Sequence, residues 1–501
     1  MTATTAHPET DRRDTVAVFG GLLLAMFISA LDQTITATAL PTIAGDLGQL
    51  TELSWVVTVY VLAAAATTPV WGKLSDQFGR RGLLRAAIGT FLVGSALSGL
   101  AANIGELIAF RAVQGIGAGG VMTLAMATVG DIVSPRERGR YQGYIQSVFV
   151  LASVAGPLLG GVFVDHVSWR WVFYVNVPIG LAALVLLRRQ PVVAARGATR
   201  IDFVGAGLLA AAVTSTMLVT VWGGDRYAWN SPQLLGLIAL AGVLLAAFVR
   251  QERRAADPML PLHLLRDRSF AVVGVGAFLA TLSLFAAIVF LPLFFQLVTG
   301  ATATTSGLLI IPMLLTSTLS TVASGRIMAR TGRYKIFPVI GFAIMCLGLA
   351  LLSTVDGSRA HAIAYLAVFG LGFGLVTQVL IVAIQNAVDR RELGTATASV
   401  NLFRAVGGSL GVAVYGAVFA AGLRHWLPRH LGGQAPAGVD AHGIQTSPEH
   451  IQALPVAVQH GIAASVADAL HTVFLVAAPI AAVGFLVVLF LPERPLRGPG
   501  K

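Results

Sequence analysis

The chain predicts an all-α polytopic membrane protein: two pseudo-symmetric six-helix bundles with two further helices inserted between them. Three observations predict it. Apolar runs long enough to span a bilayer recur from end to end, basic residues favour alternate connections, and glycines repeat at a fixed offset between the halves. Composition excludes the soluble alternative. Of 501 residues, 11 % are charged and 56 % hydrophobic, against roughly 25 % charged in soluble domains. So few charges cannot cover a soluble surface, which excludes an ordinary cytosolic enzyme. The lone Cys346 excludes a disulfide framework and a Cys-rich metal site.

The spans, each ~17–25 residues, follow in order. The first half supplies runs at 16–40, 53–71, 83–101, 107–129, 141–164 and 171–187. The first run follows HPETDRRD and ends in no small-residue cleavage pattern. It is too long for a signal-peptide core, so a retained helix is expected. The inserted pair lies at 203–221 and 234–249. The second half supplies 270–297, 304–328, 336–353, 362–387, 395–421 and 471–491. The fourteen runs place both termini on one side. The expected organisation is a tail (1–14), a bundle (15–190), the inserted pair with linkers (191–269), a second bundle (270–491) and a tail (492–501). The second bundle carries an outer loop at about 422–468. In that loop Ser447-Pro448-Glu449 has the form of a helix start, with serine as cap and proline first. Its histidines are too irregularly spaced for a metal site.

The net charge of +11 could indicate a nucleic-acid partner, but its placement argues otherwise. Of 34 basic residues, 27 fall on the side of the termini, 5 on the opposite side, and Arg111 and Arg404 within spans. The positive-inside rule then predicts cytoplasmic termini in an inner, or plasma, membrane. The basic excess is used up by topology, so no nucleic-acid partner is expected.

An offset of 255 residues brings Gly115, Gly117 and Gly119 onto Gly370, Gly372 and Gly374, and Gly139, Gly156 and Gly161 onto Gly394, Gly411 and Gly416. An offset of 253 brings Gly72 and Gly79 onto Gly325 and Gly332. Parallel repeats of this kind describe a class of transporter that works by alternating access. Because the glycines recur in both halves, packing explains them. Asp32, Asp76, Arg111, Gln114 and Pro157 do not recur, so specialised polar chemistry is expected mainly in the first half.

Three charges lie well inside spans: Asp32, Arg111 and Arg404. Each costs at least ~2.5–3.5 kcal/mol at mid-membrane unless it meets a partner or a cavity. From the outer helix ends, Asp32 lies roughly 13 Å deep and Arg111 roughly 8 Å deep. The two can therefore form one polar site. Ser29, Gln33 and Thr36 on the first helix, Gln114 on the fourth, and Gln142 and Gln146 on the fifth would line a cavity around it. Burial raises a carboxyl pKa and a nearby arginine lowers it, which is the requirement for a proton-coupling site. The plainer alternative is a static ion pair ordering two helices. For Arg404, Asn401, Gly408 and Gly411 share its face, so a packing role is equally open.

Five segments in order carry a resemblance: LDQTITATALP (31–41), GKLSDQFGRR (72–81), RAVQG (111–115), AGPLLGG (155–161) and WRWVFYVNVPIG (169–180). Together the chain resembles the fourteen-helix drug:proton antiporter branch of the major facilitator superfamily. Asp32 then matches the acidic residue of the first-helix signature. The resemblance implies a cytoplasmic latch at Gly72, Asp76, Gly79, Arg80 and Arg81. In it Asp76 meets a helix N-terminus, while Arg80 and Arg81 pair with Asp131. It also implies an antiporter motif at Gly156, Pro157, Gly160 and Gly161 that seals against leak. There Pro157 bends the helix and Gly160 and Gly161 allow tight contact. The motif commonly begins one turn earlier with glycine, where this chain has Ala152.

The expected function is proton-coupled efflux of small lipophilic or cationic compounds, by a monomer that is not an enzyme and uses the proton gradient without a cofactor. The competing expectation is a dedicated exporter of one metabolite, natural product or lipid. A membrane-embedded transferase would need clustered acidic metal ligands, which the sequence lacks.

Overall fold

A computed structural model describes residues 12–47, 53–133, 137–190, 202–255 save 225, 258–259, 264, 266–389 save 302, 392–431 and 455–496. The Ser447-Pro448-Glu449 helix start lies outside them. The first half is α1 (Arg12–Leu47), α2 (Leu53–Phe78), α3 (Arg80–Leu100), α4 (Ile104–Ile132), α5 (Arg138–His166), α6 (Trp171–Tyr174) and α7 (Asn176–Leu186). The inserted pair is α8 (Phe203–Trp222) and α9 (Pro232–Glu252). The second half is α10 (Arg268–Leu297), α11 (Ala303–Leu308), α12 (Ile311–Thr331), α13 (Ile336–Leu352), α14 (Arg359–Ala387), α15 (Leu393–His430) and α16 (Val456–Leu489). Among the described residues, thirteen helices are long and apolar enough to cross a membrane, and Ile336–Leu352 is a shorter apolar one.

Local chemistry explains several helix starts. At α4, Asn103 accepts from the Glu106 amide at 2.9 Å while the Glu106 carboxylate takes the Ala102 N–H and the Asn103 amide. This reciprocal cap satisfies donors that the first turn leaves free. Ser231 caps α9 with Pro232 in its first turn, Asp267 caps α10, and Ser358 caps α14. Gly79 (φ 89°) turns the chain between α2 and α3, and Gly332 (φ 69°) ends α12 in the left-handed conformation that glycine adopts without strain.

Three expected boundaries change. The span at 171–187 is divided at Val175 into α6 and α7, and the span at 304–328 into α11 and α12. The outer loop expected at about 422–468 is shorter, because α15 continues to His430 and α16 begins at Val456. Hydropathy does not register the breaks at Val175 and at 309–310, which fall in apolar sequence, and the polar ends of α15 and α16 lie beyond the lipid-embedded part that it marks.

The chain forms two compact units. The first takes residues 1–134, 144–202 and 389–398, and the second takes 135–143, 203–388 and 399–501. In the first, α4 packs between α2 and α3, and α1 lies on α7. A side chain at Gly115 or Gly119 would strike the α2 backbone at Tyr60 or Ala64, and one at Gly117 the α3 backbone at Phe91. In the second, α14 packs on α12 and α13 in the same way. Gly370 and Gly374 abut α12 at Met313 and Ser317, and Gly372 abuts α13 at Gly341 and Met345. The sequence repeat is therefore a repeat of one packing scheme: a central helix whose glycines admit two neighbours at backbone distance.

Candidate functional site: a buried carboxylate centre and an inner staple

The polar centre of the first unit is built on five elements. Asp32 of α1 is fully buried, as is Arg111 of α4. Arg111 Nη1 donates to Asp32 Oδ2 at 2.5 Å and to Gln114 Oε1 at 2.8 Å. Gln114 Nε2 donates to Asp32 Oδ1 at 2.7 Å, and Asn176 Nδ2, at the start of α7, donates to the same oxygen at 3.1 Å. Arg111 is held from other sides as well. Its Nε donates to the Val56 carbonyl at 3.2 Å, and its guanidinium carbon lies 4.2 Å from the Tyr60 ring centroid. Tyr60 in turn donates to the Ser29 carbonyl at 3.3 Å. Asn176 also donates to Ser95 Oγ of α3 at 3.0 Å, and Ser95 donates to the Phe173 carbonyl at 2.8 Å.

The expected pairing of Asp32, Arg111 and Gln114 is thus present in one place. Ser29 joins through Tyr60. Thr36 is buried with its hydroxyl unpartnered, Gln146 is buried on α5, and neither bonds Asp32. Gln142 is buried with both amide atoms unpartnered. Gln33 is exposed and does not bond Asp32, since a helix turns the next residue about 100° away, but like Ser29 it is a side-chain hydrogen-bond partner of Tyr60. Asn176, Ser95 and Tyr60 are the members that spacing arguments missed. Asn176 did leave a signal: it is the one amide side chain in the apolar run 171–187.

Near the α2–α3 turn, Asp76 accepts from the Gly394 amide at 3.0 Å, the Thr395 amide at 2.8 Å and the Thr395 hydroxyl at 2.9 Å. It sits on the N-terminus of α15, where freed amides and the helix dipole favour an anion. Gly72 makes room, since a side chain there would meet Ala398 and the Gly394 carbonyl. Arg80 bridges Asp76, at 3.0 Å, and Asp131. Arg81 does not pair with Asp131. Its guanidinium donates to the Arg188 carbonyl at 2.8 Å, because one residue further along α3 carries it round the helix.

On α5, a side chain at Gly156 would collide with Thr34 of α1, and one at Gly160 would press on Thr38 and Ile35. Thr34 donates to the Ala152 carbonyl at 3.0 Å. The motif is an α1–α5 contact, with Pro157 inside the helix. Gly161 is a correction: it faces open space and makes no close approach. One residue beyond Gly160, it lies on another face.

In the second unit, Arg404 is half-buried on α15 and makes no hydrogen bond or ion pair among the described residues, whereas Asn401 is partnered. Gly407 and Gly408 press α15 onto Phe278 and Phe285 of α10.

A twofold repeat of membrane-length helices, with a fully buried carboxylate–guanidinium centre in one unit, defines a polytopic membrane transporter. The Major Facilitator Superfamily profile matches residues 22–412. The chain belongs to that superfamily. It is 36 % identical to the multidrug transporter protein MdtP of Bacillus subtilis, over 95 % of this chain and 92 % of that one. It is 37 % identical to the acurin A biosynthesis cluster MFS-type transporter of Aspergillus aculeatus, over 80 % of this chain and 74 % of that one. In fold it resembles the proton:xylose symporter XylE, with a TM-score of 0.59 at 16 % identity, covering 96 % of this chain and 98 % of that one.

Proposed function

We propose that this transporter exports small lipophilic or cationic compounds across the inner, plasma membrane in exchange for protons, with both termini in the cytoplasm, and that Asp32 carries the proton. The observation that bears the proposal is the donor arrangement at Asp32. Three donors meet its carboxylate and no acceptor does, which is the arrangement of an ionised acid. A proton on Asp32 needs an acceptor, and an unused one is at hand: Asn176 Oδ1 is buried without a partner among the described residues. Turning that amide by about 180° would offer oxygen in place of N–H. Proton uptake then breaks Asp32's bonds to Arg111 or Gln114 and loosens α1 from α4, while proton release restores them. That is a two-state element whose balance a gradient can drive.

The inner staple fits the same cycle. Asp76 and Arg80 hold the start of α15 to α2 and α4, and an alternating-access cycle would have to break and remake these bonds. The contact of α5 with the Asp32 helix at Gly156 and Gly160 supports reading that segment as an antiporter motif. A dedicated exporter of one natural product is the second reading, favoured by the resemblance to the acurin A cluster transporter.

The test is substrate-dependent proton movement in inverted vesicles, across a panel of lipophilic compounds. Asp32→Asn is expected to lose pH-driven transport by at least about tenfold, as one proton-carrying group is removed, while substrate still binds. Full pH-driven transport by Asp32→Asn would refute the assignment. A single transported compound in the panel would select the dedicated exporter.

A further inference from the structure

The deep charges are unevenly balanced. In the first unit Asp32 and Arg111 neutralise each other. In the second, Arg404 stands alone. It is 11 positions beyond Leu393, the first residue of α15, hence roughly 16 Å along the helix and near the middle of a ~30 Å hydrocarbon layer. No described acidic side chain of that unit answers it. Glu137, Glu252, Asp267 and Glu493 lie at helix ends or beyond them, and Asp356 lies in a turn. Asp468 contacts His430, which is 26 positions further along α15, or roughly 39 Å away.

Arg404 is also not sealed off. Among the described residues its nitrogens bond nothing, yet none appears as a fully buried, unsatisfied atom. Arg404 as a residue is part-exposed at mid-membrane depth. Its helix face is mixed: Asn401, one turn back, is partnered, and the residues around it on α15 pack on aromatics of α10. Phe403, the preceding residue, lies against Gly274 and 6.4 Å from the Phe270 ring, while Gly407 and Gly408 bring α15 onto Phe278 and Phe285. A packing role would leave an unpaired cation within the membrane, which its interior penalises unless an opposite charge arrives. Lysine would serve as a point charge, but a guanidinium offers a planar fork matched to a carboxylate.

We infer that Arg404 is the anion-binding group of the substrate site, and that the transporter takes amphipathic aromatic compounds bearing a carboxylate. This rests on the export reading above and narrows it, replacing a cationic substrate by an anionic one. Arg404 by itself attracts an anion and repels a cation. An inside-negative membrane potential also drives an anion outward, so the direction of export suits the charge.

The test uses three fluorescent probes on one scaffold: dansylglycine (anion), dansylglycinamide (neutral) and dansylcholine (cation). Binding to the purified full chain in nanodiscs is expected to favour dansylglycine. Arg404→Gln is expected to weaken dansylglycine by about tenfold or more, the scale of one charged hydrogen-bond partner, and to leave dansylglycinamide unchanged. Arg404→Lys, which keeps the charge and guards against a folding defect, is expected to restore part of the loss. Equal loss of all three probes in both variants, or a wild-type preference for dansylcholine, would overturn the inference. Proton-driven uptake of the probes into inverted vesicles separates it from the export reading. Arg404-dependent dansylglycine binding without transport of any probe leaves the anion site standing and removes export. Transport that favours dansylcholine keeps export and removes the anion site.

Discussion

Asn176 has two amide hydrogens, and both are committed: one to Asp32 and one to Ser95. The Asp32 bond helps the carboxylate and does nothing for the neutral acid. The ionisable groups facing Asp32 from the helices around it are Arg111 of α4 and Tyr60 of α2, while α3 and α7 present Ser95 and Asn176. Neither ionisable group changes in Asn176→Leu. That variant removes both the donor, worth ~1.5–3 kcal/mol to a charged acceptor, and the oxygen that the turned amide would offer the protonated acid. Proton-driven transport is therefore expected to fall by at least about tenfold. Transport in proteoliposomes checks this, and unchanged transport with lowered protein yield would mean that Asn176 only holds α7 to α3.

At the scale of the element, close approach separates two glycines that the motif treats alike. Gly156 is jammed against Thr34 and Gly161 faces open space. Gly156→Ala is expected to cost ~1–3 kcal/mol by overpacking, and Gly161→Ala to be neutral or slightly stabilising, since alanine is the better helix former. Thermal unfolding of the two variants side by side tests the contrast, and equal behaviour would contradict the α1–α5 packing. A second element-scale device holds the chain beyond α16. Arg494 donates to Asp267 at 2.9 Å and to the Ala387 carbonyl at 3.1 Å, and Glu493 accepts from the Tyr334 amide at 2.9 Å. Partial burial pushes the Asp267 carboxyl up, but the Arg494 bond and the amides of Phe270 and Ser269 outweigh it and hold it below the usual carboxylate range. A depressed carboxyl stabilises the fold above its unfolded pKa, ~3.9, and that stability fades as pH falls through the lower folded value. Wild type should therefore exceed Asp267→Asn in melting temperature at neutral pH, by a modest amount because the pair is partly exposed. The gap should close only in acid below about pH 4, and a gap independent of pH would show that the carboxylate charge is not what holds the clasp.

For the whole molecule, periodicity and composition made the helices and the repeat legible, because bilayer thickness and glycine-mediated contact act on local sequence. The centre was legible where charge is expensive, as at Asp32 and Arg111, and at Gln114, one turn along the same face. Asn176 and Ser95 escaped because a neutral polar side chain becomes informative only when tertiary packing brings four helices together. Gly161 and Arg81 were assigned by motif membership, and their own helices turn them away. Charge asymmetry is the remaining whole-chain property, and it predicts topology without reference to any site. The turn at Gly332, between α12 and α13, is flanked by Arg326, Arg330, Arg333 and Lys335, whereas that at Gly357, between α13 and α14, has Arg359 alone. Translocation disfavours the basic-rich connection, so these neighbouring turns belong on opposite faces. Alkaline phosphatase joined at Gly357 is expected to be active, and at Gly332 inactive, with at least about tenfold contrast if the four-to-one basic bias sets orientation. The reverse pattern would invert the whole chain. It would put the Asp76–Arg80 staple on the outer face, where its assignment as a cytoplasmic latch could not stand.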